Sequence, residues 1–235
     1  MIGLGYTASM REQTGPINLK SLKEQVYDYL QAQFQQRQLH PGDMIHMEAT
    51  SQKLGISKTP LRDALIQLEM EGFVTIQPRR GIFVNTLTID DIREFYQVIG
   101  ALESSALQAA FSCLDAVRLK KIDNLNRQMQ QAIERNDFNL FYEKNLHFHD
   151  SYIDLCGNST LIHIIGNLKK RLYDFPRQKK WVKEWEESSI REHQEIVDFL
   201  VAGDVQSAAL FLRDVHWSFA VQEKFIRKYY AASLD

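Results

Sequence analysis

The sequence predicts a mainly α fold in two parts. Three observations carry that expectation. Residues 18–86 combine short helical stripes with one β-hairpin signal, and residues 88–231 repeat helical stripes without a convincing strand. The join near residues 86–89 is short, which predicts docked rather than loosely tethered parts. The first part is expected to hold three helices and a small β-wing, the second an antiparallel helical bundle.

The elements follow in order. Residues 1–17 read as a flexible tail. From Leu19 a helix begins, with Leu22, Val26, Tyr29 and Leu30 at i, i+4, i+7 and i+8. "QLHPGD" ends it, because Pro and Gly stop a helix. "DMIHM" is a short strand, and "EATSQKL" a short helix closed by Gly55. In "SKTPLRDALIQLEMEGFV", Ser57 is a good N-cap and Pro60 lies in the first turn, where a missing N–H costs little. That helix stops at Gly72. "FVTIQPRRGIFVN" places two apolar runs around a Pro-Arg-Arg-Gly turn, with Gly81 available for positive φ. Further on, Ile92, Phe95, Tyr96 and Ile99 form one stripe, and Leu119, Ile122, Leu125, Met129 and Ile133 another. Gly203 reads as a C-cap and Asp204 as the next N-cap. About six helices are expected in the second part.

Composition bounds the function. The chain has 235 residues, 44% hydrophobic and 25% charged, with formal net charge -2. It is ordinary for a globular protein and is no bulk polycation, so any nucleic-acid binding must use locally placed charge. Cys113 and Cys156 lack CxxC spacing, so buried free thiols are expected rather than a disulfide scaffold or a cysteine zinc site. No signal peptide and no membrane-spanning run is evident, and a reduced cytoplasmic setting is expected.

The element order of the first part is that of a winged helix-turn-helix. On the helix after Ser57, Leu61, Ala64, Leu65 and Leu68 form the buried stripe. Thr59, Arg62 and Ile66 project from the opposite side, with Lys58 at its edge. A recognition helix needs this arrangement, with an apolar back and donors at the end that enters the major groove. Arg can hold guanine O6 and N7 with two hydrogen bonds. Ser57, Thr59 and free first-turn N–H groups can hold phosphate. Arg79-Arg80-Gly81 at the wing tip can place a cation near the minor groove or backbone. A capped surface helix with merely solvated cations accounts for Lys58 and Arg62 taken alone; the coincidence of short helix, Gly turn, capped helix and basic hairpin does not follow from that.

The segments "LHPGD", "KLGISKTPLRDALIQLEMEGFV" and "PRRGIFV" resemble the DNA-binding domain of the GntR superfamily of bacterial transcription regulators, over about residues 19–85. The resemblance implies DNA contacts by Lys58, Thr59, Arg62, Arg80 and Gly81. Lys58 replaces the usual Arg, and Thr50 stands where a core Leu is usual. Arg and Lys are not interchangeable at a bidentate site, so Arg62 is expected to read a base and Lys58 to hold phosphate or make a flexible base contact.

The chain has seven histidines. In "NLHFHDSY", Asn145 and His149 are four apart and share a helix face; His193 opens "HQEIVDFLVAGD", and His216 lies in the final helix. A bundle can gather such imidazoles around a divalent metal, although lone helical histidines are more often hydrogen-bonded core residues. Residues 90–230 resemble the FCD ligand-binding domain of the FadR-like GntR branch, through Asn145, Phe148, His149, Asn158, His193, Gly203, Asp204 and His216. The resemblance implies metal ligation by Asn145, in place of the usual Asp, with His149, His193 and His216, a set that suits zinc or nickel. Many members carry an effector-binding Arg four residues before the Glu of "VIGALE"; here Ile99 holds that place. Arg171, on one helix face with Ile164 and Asn167, is a substitute, so Arg171 and Asn167 are the expected effector contacts, for an organic acid bound with the metal.

The expected function is a sequence-specific transcription regulator and not an enzyme: a homodimer, a repressor, reading a near-palindromic operator in double-stranded DNA and answering to a small-molecule effector. Two alternatives stand beside it. One is a DNA-binding regulator whose helical domain only dimerises. The other is an all-helical metal-dependent hydrolase built on His149-Asp150, though Asp150 turns about 100° from His149 on a helix.

Overall fold

The computed structural model describes residues 20–36, 38–173 and 182–234. The expected tail at residues 1–17 and helix start at Leu19 lie outside them. The first helix, α1 (Leu22–Gln35), begins at Ser21, whose hydroxyl and Glu24 form a reciprocal capping box. Strand β1 (Met44–Ile45) is shorter than expected, and α2 (Met47–Leu54) ends at Gly55 with φ 65°. Helix α3 (Lys58–Met70) buries Leu61, Ala64, Leu65 and Leu68, the stripe its spacing predicts. The wing is β2 (Val74–Gln77) and β3 (Gly81–Val84), antiparallel in the register Val74–Val84 to Gln77–Gly81. β1 joins on the other edge of β3, giving the order β1-β3-β2. Phe34 and Phe73 stack at 5.9 Å between α1 and the wing.

The second part is wholly helical among the described residues. Its central helix is α4 (Ile89–Ala110), opened by a capping box between Thr88 and Asp91. Around it stand α5 (Ala116–Glu134), α6 (Phe138–Ile153), α7 (Ser159–Tyr173), α8 (Lys183–Val201), α9 (Val205–Phe211) and α10 (Phe219–Leu234). α4 packs against α6, α7, α9 and α10, while α5 lies on α6 and α8. The last helical run is not continuous: residues Leu212–His216 form a π turn between α9 and α10. That break yields one more helix than expected, and His216 sits on the π turn rather than inside a regular final helix. Such insertions recur at functional sites, because they re-aim side chains without ending the helix.

The two parts are docked. Leu87 is buried at the join, and the Arg171 guanidinium of α7 lies over the Phe95 ring at 4.6 Å. The same guanidinium abuts Gly72, its Nη1 2.9 Å from where a Cβ would stand. Both cysteines are free thiols, but Cys113 is exposed and Cys156 partly so. They lie in short turns after α4 and α6, with Cys156 packed against the edge of the core. No helix among the described residues is long and apolar enough to cross a membrane.

Candidate functional site

The head presents its polar side chains outward. Ser57 occupies the N-cap of α3, but its hydroxyl makes no capping bond. It and the first-turn N–H groups therefore remain available to an anion. Lys58, Thr59 and Arg62 are exposed on the side away from the buried stripe. Arg62 has no protein partner among the described residues, whereas Lys58 is ion-paired with Glu48 of α2. Arg79 and Arg80 are exposed at the wing tip. Arg79 holds a left-handed φ of 62°, which is strained for a β-carbon residue, and Gly81 has φ 129°. A Cβ at Gly81 would lie 2.8 Å from Met44 Sδ, so glycine also serves the packing of β1 on the wing.

The bundle does the opposite and turns its chemistry inward. Glu103 of α4 is fully buried and acts as a hub. Its Oε2 faces His149 Nδ1 at 2.8 Å, accepts from the Tyr152 hydroxyl at 2.5 Å, and accepts from Trp217 Nε1 at 3.1 Å. Its Oε1 pairs with Lys169 Nζ at 2.5 Å. Burial opposes charge on Glu103, but His149 and Lys169 facing it hold its carboxyl well below the usual range. The Lys169 ammonium also sits 5.6 Å from the Trp217 ring. A second carboxylate, Glu192 of α8, holds His216 Nδ1 at 2.8 Å and accepts from Gln222 Nε2 and the Ser188 hydroxyl.

These two carboxylates orient a cluster. Potential donor atoms of His149, His193 and His216 all lie within 4.8 Å of one another. With Nδ1 of His149 and of His216 engaged, Nε2 is the free nitrogen of each ring. His149 Nε2 and both nitrogens of His193 are buried without a hydrogen-bond partner. Burial pushes the His149 imidazole down to about 4, against the pull of Glu103, and pushes His193 well below its ordinary value. The rings are therefore held neutral, the form that ligates metal. Carboxylate-backed imidazoles with orphaned inner nitrogens fit a metal centre. Two nitrogens on one tetrahedral zinc stand about 3.4 Å apart, so the rings would close inward by up to about 1.4 Å to share an ion. Asn145, one turn before His149, is buried, and its amide has no partner among the described residues.

A cavity opens beside the triad. It spans about 660 Å³ counted together with the open solvent at its mouth, and Asn145, His216, Trp217 and Glu192 form the wall beside the triad. Its remaining walls are largely aromatic, with Glu186 and Ser189 of α8.

The structure places both expected effector residues away from this cavity. Neither Arg171 nor Asn167 lines the cavity. Arg171 faces Gly72 and Phe95, and Asn167 pairs with His163 Nε2 at 3.1 Å, away from it. The physical reason is the face of α7 that turns inward: Leu161, Ile165, Lys169 and Leu172 are buried, while Ile164 is 40% exposed. Lys169, not Arg171, is the cation that enters the bundle. That signal was present in the sequence, as a lysine at i+8 of an apolar stripe. Glu103 was marked in the same way, following Ile92, Tyr96 and Ile99 on the buried stripe of α4. Asp150 belongs to a different groove, beside Arg118, Lys121 and His147. No His149-Asp150 dyad forms.

A winged head on a helical bundle that encloses a histidine cluster beside a cavity defines a class, the DNA-binding regulators with a helical second domain. Comparison with known proteins narrows it. The profile of "Bacterial regulatory proteins, gntR family" matches residues 22–84, and that of the FCD domain matches residues 94–215. The chain belongs to the GntR family of bacterial regulatory proteins and carries an FCD domain; these are transcription regulators, not enzymes. It is 26% identical over 156 residues to the HTH-type transcriptional repressor RspR of Escherichia coli K12, a match spanning 66% of each chain. A GntR transcriptional regulator of Rhodococcus sp. RHA1 superposes with TM-score 0.64 at 19% identity, over 86% of this chain and 96% of that one. E. coli McbR/YncC superposes with TM-score 0.62 at 22% identity, over 91% and 99%. These two share the fold.

Proposed function

We propose that this regulator is a metal-dependent, ligand-responsive repressor that binds a near-palindromic operator as a homodimer. One observation carries the metal: three buried imidazole nitrogens, on His149 and His193, without partners. Left so, each costs about 1–3 kcal/mol, which argues against a merely structural bundle. His149, His193 and His216 would hold the ion with Asn145 as a fourth, neutral donor. Three imidazoles and an amide suit zinc or nickel. When bound, the metal supplies a Lewis-acid anchor for an oxygen donor of the effector. The protein's own part is to keep His149 and His193 neutral by burial, to aim His149 and His216 through Glu103 and Glu192, and to keep the cavity open on the His216 side.

The heads would supply recognition. Ser57, Lys58, Thr59 and Arg62 stand exposed at the start of α3, and Arg80-Gly81 at the wing tip, where two heads can read two half-sites. α7 supports the coupling between the parts. It sends Lys169 to Glu103 under the triad and Arg171 to Gly72 of the head, two residues apart. A shift of α7 on effector binding would change how the head is held, and so the affinity for DNA. The repressing sign follows the description of RspR.

Metal analysis of protein purified without chelator tests the reading. About one ion per chain is expected, and none in His193→Ala. Fewer than about one ion per two chains would return the bundle to a purely dimerising role. Selection of bound DNA from a random pool should yield a palindrome.

A further inference from the structure

The cavity has a chemical sign. Among the described residues that line it, none is Lys or Arg, and two are glutamates. Glu192 is fully engaged by His216, Gln222 and Ser188. Glu186 is different. It is half-buried in the first turn of α8, and its carboxyl has no hydrogen bond or ion pair with any described residue. Burial alone pushes its carboxyl up to about 8. Around it the walls are π-rich: Trp185 and Tyr229 meet edge to face at 5.7 Å, and Tyr96 stands toward Trp217 at 5.2 Å. Lys169, whose ammonium sits 5.6 Å from the Trp217 ring, is paired with Glu103.

An anionic ligand entering this space would meet aromatic faces and no described Lys or Arg, beside a glutamate that burial keeps protonated. A cation would gain from the faces and would draw Glu186 to its charged carboxylate form. Given the metal-anchored effector site argued above, on which this inference rests, we propose that the effector is an ammonium compound: a small amine or quaternary ammonium whose nitrogen sits against Glu186 inside the aromatic walls, while an oxygen donor at its other end reaches the metal beside His216. The expected organic acid is thereby replaced by a zwitterionic or cationic molecule. Any carboxylate it carries lies at the metal end only.

The test uses matched pairs that differ in charge and hardly in shape: betaine against 3,3-dimethylbutanoate, choline against 3,3-dimethylbutanol, and tyramine against 4-propylphenol. Binding to the full-length, metal-loaded protein is measured by calorimetry, with metal content and operator affinity recorded on the same samples. The ammonium member of at least one pair should bind tenfold or more tightly than its carbon analogue. Glu186→Gln should erase that preference and Glu186→Asp should keep part of it, with melting temperatures confirming that both variants fold. Equal or tighter binding of the carbon analogues, no binding of any ammonium member, or an unchanged preference in Glu186→Gln would each overturn the inference. If that happens while the metal is present and operator binding is intact, only the ligand class fails. Loss of metal from the wild-type protein would instead sink the underlying reading.

Discussion

The winged head and the helical bundle place their working residues in opposite ways. In the head, Lys58, Thr59, Arg62, Arg79 and Arg80 are all exposed, and an apolar stripe on the far side of α3 merely aims them. In the bundle, Glu103, His149 and His193 are fully buried; Glu103 holds His149, and His193 stacks on Phe148. An exposed cation in high dielectric contributes little until DNA arrives. A buried ion pair or imidazole is energetically committed in the free protein already. Mutations in the head should therefore spare the fold and alter DNA binding; mutations in the bundle should alter the fold and the metal together.

The largest expected effect breaks the buried hub. Glu103→Ala leaves Lys169 charged and His149 without its orienting partner inside the core, at a cost of about 3–5 kcal/mol. Urea unfolding measures it, and a cost below about 1 kcal/mol would mean that the hub is not closed to water. Next comes the outer support of the triad. Glu192→Gln keeps the shape but weakens the hold on His216 Nδ1, so metal affinity should fall about 10–100-fold. Competition with a chelator reads this directly. In the head, Arg62→Ala should cost about 1–3 kcal/mol of operator binding and relax specificity at one base pair. A uniform loss across sequences would make Arg62 a phosphate contact. The smallest effect is at Lys58. Its pair with Glu48 is exposed at 54% and 63%, so Lys58→Ala should change stability by under about 1 kcal/mol. It should weaken binding across all sequences and reduce the salt slope by about one. If Glu48→Gln tightens binding, the pair restrains Lys58 in the free protein.

Legibility in the sequence followed the same divide. Helix stripes, the hairpin and the caps at Ser57, Gly55 and Asp204 are local patterns, and the structure shows each of those elements. The histidine cluster followed from a resemblance, since nothing in periodicity brings His149, His193 and His216 together. On α7 a face through Ile164 and Asn167 reads from sequence as well as one through Ile165 and Lys169, so Arg171 and Lys169 are not told apart there. Only the packing of α7 on α4 separates them. Glu103 and Lys169 were visible as charges interrupting apolar stripes, but the partner of each was not.

The sequence by itself determined the order and kind of elements, the two-part division, the apolar back of α3 and the exposed cations it holds. These depend on residues within a few turns of one another. The tertiary structure alone decided which face of α7 turns inward, that Glu103 meets His149 across 46 positions, and that a π turn aims His216 at the triad. It also decided that the cavity beyond is aromatic and acidic. Those outcomes are set by packing between helices distant in the chain, where the cost of burying a charge is decided by the partner that arrives from another helix.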